Sequence, residues 1–99
     1  MKLIVKKDEL SESPELFMRQ AGYTYLRDRH TGKDSFTRRM GSNFYPRFHV
    51  YINEGDEKIV FNLHLDQKKP SYQGARAHSA EYEGEVVERE VERLKGLLV

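Results

Sequence analysis

The chain contains no cysteine. Disulfides, thiolate metal ligands and thiol catalysis are therefore excluded. No apolar run approaches the roughly 18 residues of a membrane span. The opening stretch MKLIVKK carries too short an apolar run for a signal peptide. These absences lead to the expectation of a soluble, cytoplasmic protein without a membrane partner. Strong catalytic signatures are missing too. There is no HExxH, no CxxC, no phosphate-loop spacing and no RNP pattern of an RNA-recognition sheet. Internal repeats and low-complexity tracts are also absent.

What is present is a short, polar chain rich in aromatic residues. At 99 residues it is one domain, 1–99, with a modest core. One third of the residues are charged, but six Tyr and five Phe argue against disorder. The net charge of +1 conceals an asymmetry. Residues 19–47 hold seven basic and two acidic residues, whereas residues 80–99 hold six acidic and three basic ones. A basic middle hints at a polyanion partner. The competing reading is that the two segments neutralise each other in the fold.

The element pattern follows from punctuation and periodicity. Residues 1–5 suit an edge strand. SESPELFMRQAG reads as a short helix, with Ser13 as its cap, Pro14 in the first turn and Gly22 as its stop. Leu16, Phe17 and Ala21 are expected to face the core. Residues 23–28 and 35–40 alternate around turn chemistry at 29–34 and form a hairpin. Residues 47–52 and 58–66 form a second hairpin, with Glu54-Gly55 or Gly55-Asp56 as candidate two-residue turns. Residues 67–85 are long for a featureless connection, and residues 75–78 are a candidate edge strand. In EVVEREVERLKGLL, Val87, Val91, Leu94 and Leu98 fall at helical spacing. The glutamates of this segment read as a solvated face. The predicted architecture is α+β: a four- to five-stranded antiparallel meander sheet, with the N-terminal and C-terminal helices packed on one face.

Alternation assigns the two sheet faces. Phe48, Val50, Ile52, Ile59, Phe61, Leu63 and Leu65 take the core side. Arg47, His49, Tyr51, Asn62, His64 and Asp66 take the other. Tyr23, Tyr25, Phe36 and Met40 are expected toward the core, which sends Thr24, Thr37 and Arg39 to the polar face. Two registers remain open. In one, His49 opposes Asn62 and the histidines are diagonal; in the other, His49 and His64 are directly opposite.

Three chemistries fit this polar face. The leading one is binding of RNA or single-stranded DNA through the face and the 67–80 loop. Arg39, Arg47, Lys68, Lys69 and Arg76 would meet phosphates, while Tyr51 and Tyr72 would stack on bases. The second is a metal site, for a divalent ion such as zinc, built from His49, His64 and Asp66 with His78. The third is metal-free acid–base catalysis by His49 and His64, suited by the ordinary imidazole pKa near 6.5. The last two make a small hydrolase or metal-binding protein. Convergence of His49, His64 and His78 is the sharpest geometric expectation. The plain alternatives are wet histidines on an exposed sheet, or an interaction module without chemistry.

Overall fold

The computed structural model describes residues 1–29, 31–67, 80–81 and 84–98. Its centre is an antiparallel sheet. In chain order the elements are β1 (Lys2–Lys6), a single 3-10 turn (Lys7–Glu9), α1 (Pro14–Gln20), β2 (Thr24–Arg27), β3 (Asp34–Arg39), β4 (Arg47–Glu54), β5 (Lys58–Asp66), β6 (Ala80–Glu81) and α2 (Glu85–Gly96). The strand order is β1-β5-β4-β3-β2. Strands β2 to β5 form the expected meander, and β1 closes the far edge beside β5. The two residues of β6 pair with Leu65 and Asp66 at the end of β5.

The first helix starts and stops as its sequence directs, and the second ends at Gly96, short of Leu98. The Ser13 Oγ accepts a hydrogen bond from the Leu16 N–H at 3.1 Å, and Pro14 opens the first turn. Gly22 follows the helix at φ 97°, a left-handed value that costs a side-chain-bearing residue energy. The N-cap of α2 is Gly84 at φ 123°, again a conformation for glycine.

The helices cover one sheet face and bury a single core. Leu3, Val5, Phe36, Phe48, Val50, Ile59, Phe61, Leu63 and Leu65 come from the strands. Phe17, Met18 and Ala21 come from the α1 segment, and Val87, Val91 and Leu94 from α2. Phe17 packs on Phe61 with ring centroids 5.7 Å apart. Burying each large side chain contributes roughly 1.5–3 kcal/mol before conformational entropy is counted.

Several details differ from the sequence expectation. Leu16 is exposed, and Met18 takes the core position instead. A seven-residue helix has under two full turns, so periodicity alone does not orient it. Tyr25 and Met40 are also exposed, although Tyr23 and Phe36 are buried as expected. Tyr25 opposes Phe36 on the core side, but it sits on the edge strand and is 43% exposed. Met40 lies just past the end of β3. The β4–β5 loop is Asp56-Glu57, closed by the Gly55 N–H bonded to the Lys58 carbonyl, one residue beyond the nearer candidate turn. The strand suggested at 75–78 lies outside the described residues.

The C-terminal glutamates are not all solvated. Glu90 is 4% exposed. It accepts the Tyr23 hydroxyl at 2.6 Å and two bonds from the Arg93 guanidinium at 2.8 Å each. Arg38 stands 3.6 Å away. Arg93 also donates to the Ala21 carbonyl. One basic residue of the middle, Arg38, thus meets one acidic residue of the C-terminal helix, Glu90, inside the fold. Burial pushes the Tyr23 hydroxyl pKa well up, and the bond to Glu90 adds to this. For Glu90, burial opposes the charge, but the bonds from Arg93 and Tyr23 prevail and lower its pKa.

Candidate metal centre on the open sheet face

Pairing in β2 to β5 lays the polar residues out in rows across the sheet. Thr24 opposes Thr37, Thr37 opposes His49, and His49 opposes His64. In the next row Arg39 opposes Arg47, and Arg47 opposes Asp66. In the row on the other side Leu26, Ser35, Tyr51 and Asn62 follow one another. The register is therefore the one that puts the two histidines directly opposite, two residues from the diagonal alternative. Partners across an antiparallel pair have Cα atoms about 4.5–5.5 Å apart. Two imidazoles and a carboxylate are thereby delivered to one spot.

The three side chains meet. The Asp66 Oδ2 lies 3.0 Å from His49 Nδ1, and its Oδ1 lies 2.8 Å from His64 Nε2. The imidazole centroids are 4.9 Å apart. One donor atom from each of His49, His64 and Asp66 lies within 4.8 Å of the others. Arg47 adds a bond from Nε to Asp66 Oδ2 at 3.2 Å. Its guanidinium is held 4.7 Å from the ring centroids of both Phe44 and Tyr45. Tyr51 stacks on His49 at 4.6 Å, and its hydroxyl donates to Asp28.

This face is not wet at its centre. Arg47, His49 and His64 are 8%, 7% and 9% exposed. The reading of the histidines as solvent-facing side chains is overturned. Alternation told which face they occupy but carried no information about what that face is packed against. Burial has an electrostatic consequence at Asp66. Burial disfavours its charge, yet the hydrogen bonds and positive character of His49 and His64 hold its carboxyl far below the usual carboxylate range. Asp66 is an anion throughout the ordinary pH range.

One atom in the group lacks a partner. The His49 Nε2 is buried and makes no hydrogen bond among the described residues. If His49 is neutral and donates through Nδ1 to Asp66, its Nε2 is a bare lone pair. If it is protonated, Nε2 is an unmatched donor. Either way a buried, unsatisfied polar atom costs about 1–3 kcal/mol.

Donor type and spacing fit a divalent ion. Two ligands at 2.0–2.1 Å from a tetrahedral zinc stand about 3.3 Å apart, so the His–Asp contacts of 3.0 and 2.8 Å must open a little, and donors up to 4.8 Å apart must draw in, to admit one. Asp66 supplies the negative charge, and His49 and His64 are the commonest nitrogen ligands.

The sequence-derived site residues divide into three groups. His49, His64 and Asp66 are brought together, with Arg47 and Tyr51 held against them. Arg39 is exposed, one strand away from Arg47. Lys68, Lys69, Tyr72, Arg76 and His78 lie outside the described residues, and so does the three-histidine convergence as a whole. The Glu90 cluster was not foreseen as a unit. Its signal was present, because Glu90 falls on the same helical stripe as Val87, Val91 and Leu94.

The fold and this group define an antiparallel α+β domain bearing a buried His-His-Asp cluster on the sheet face away from its helices. No described helix is long and apolar enough to cross a membrane. Compared with protein-family models, curated proteins and solved structures, the chain matches none.

Proposed function

We propose that this protein binds one divalent transition-metal ion through His49, His64 and Asp66 and uses it for hydrolytic chemistry. The observation that carries the reading is the approach of three donor atoms to within 4.8 Å of one another at a buried site. The anionic state of Asp66 supports it. An ion with three protein ligands keeps coordination space for a water and lowers that water's pKa toward about 7, which suits attack on an electrophilic centre at neutral pH. Arg47 plays a positioning part. Its bond to Asp66 fixes the carboxylate, as outer-shell partners of metal ligands do.

The polar face also fits a nucleic-acid surface in its residue types, but two of the contacts for that role are engaged internally. Arg47 is paired with Asp66, and Tyr51 is stacked on His49 and bonded to Asp28. This favours the metal reading. Thermal unfolding of the full chain with and without zinc or manganese tests it. A rise in melting temperature that His64→Ala removes is the expected result. No rise with either ion rejects the reading.

A further inference from the structure

We infer that the metal site has an adjoining subsite for a phosphate group, built around Arg39 with the hydroxyls of Thr24 and Thr37. The inference rests on the metal reading in that it names the substrate class of the same centre.

The argument begins with three arginines. A groove of about 500 Å³ is lined by Thr24, Thr37, Arg38, Arg39, Phe44 and Arg47, among others. Arg38 is neutralised by Glu90, and Arg47 by Asp66. Arg39 makes no ion pair among the described residues, although it sits directly opposite Arg47 on the neighbouring strand. Like charges directly opposite on a sheet are unfavourable. Here they are also drawn to one ring. The Arg39 guanidinium is 4.9 Å from the Phe44 centroid, and the Arg47 guanidinium is 4.7 Å from it. Phe44 thus fixes Arg39 at the groove while leaving its donors without an acid. An anion placed there relieves the repulsion and gains a planar, multiply donating partner.

Position supplies the link to the metal. Thr37 is the direct cross-strand partner of His49, and Thr24 is the partner of Thr37. Both threonines line the groove. The groove therefore begins one strand from the first histidine and runs outward toward the sheet edge. A phosphate seated on Arg39 and the threonine hydroxyls would place its ester beside the ion. A neutral substrate would use none of these features. A small phosphate ester and a nucleic-acid backbone both present a tetrahedral phosphate anion, and the test separates them.

The test is a titration of the isotope-labelled full chain with phenyl phosphate, followed by amide NMR, with and without one equivalent of zinc. Saturable shifts at Thr24, Thr37 and Arg39 are expected, and Arg39→Gln should weaken binding about tenfold, as loss of a charge-assisted contact predicts. A deoxythymidine 12-mer forms the second arm. Tighter binding of the 12-mer through the same amides supports the subsite and assigns its phosphate to a nucleic acid; equal or weaker binding supports it with a small ester. Absence of shifts at these amides, or binding indifferent to Arg39→Gln, overturns the subsite. Zinc added alone reports separately on His49 and His64. Failure there with phenyl phosphate still seated at Arg39 removes the metal reading and leaves the anion site standing.

Discussion

Two buried polar clusters lie on opposite faces of one sheet, and they are built differently. On the helix side, Glu90 receives a tyrosine hydroxyl, two guanidinium bonds and a second arginine. Arg93 passes on to the Ala21 carbonyl, so the group ties α2 to the end of α1 and the start of β2. On the open side, Asp66 is likewise saturated by His49, His64 and Arg47, but the cluster retains the unmatched His49 Nε2. A closed cluster needs nothing further and serves the fold. The other gathers two imidazoles and a carboxylate whose donor atoms lie within 4.8 Å of one another, and so has capacity for a cation. The burial differs too: the Glu90 side chain is 4% exposed and that of Asp66 16%.

The largest effect is expected from breaking the closed cluster. Glu90→Ala leaves Arg93 partly buried without its acid and Tyr23 without its acceptor. The loss should be about 3–5 kcal/mol, the usual cost of removing one partner of a buried ion pair, read from urea unfolding. Tyr23→Phe removes one hydrogen bond to a charged group and should cost about 1.5–3 kcal/mol. The open cluster should respond in the reverse sense once metal is supplied. His64→Ala should abolish metal-dependent stabilisation, which at a free metal concentration of a hundred times Kd is worth about 2.7 kcal/mol. Glu90→Ala, measured where it remains folded, should retain it.

Acid sharpens the comparison further. The Glu90 carboxyl has a lowered pKa in the folded state. Its stabilisation is therefore fully present above the unfolded value of about 4.3 and is lost as pH falls through the folded value. Wild type should lose stability more steeply than Glu90→Gln below that range, and the two slopes should match near neutrality. The smallest effect is expected at the surface. Arg39→Gln should change stability by no more than about 0.5 kcal/mol, as exposed substitutions usually do.

Much of this layout was legible in the letters. Strict alternation in residues 47–52 and 58–66 is enough to put Arg47, His49, His64 and Asp66 on one face. Ser13-Pro14 and Gly22 bracket the first helix. The register was not legible, because the residues around Gly55 permit two-residue turns at different positions and each moves the histidines relative to one another. Burial of the polar face was not legible either, since strand periodicity reports the side of a residue and not its cover. Glu90 was misread for a different reason. Its charge outweighed its position on the apolar stripe, and its partners Tyr23 and Arg38 are distant in the chain. Tyr25 and Met40 show the limit of facial assignment at an edge, where the core side of a strand can still face solvent.

The most direct test of the account is calorimetric titration of zinc into the metal-free full chain, repeated with His49→Ala, His64→Ala and Asp66→Asn. The account predicts one ion per chain in the wild type and at least a tenfold loss of affinity in each variant, in line with removal of a ligand from a three-residue site (about 1.4 kcal/mol or more). An absence of zinc binding by the wild type, or binding that survives all three substitutions unchanged, would contradict it.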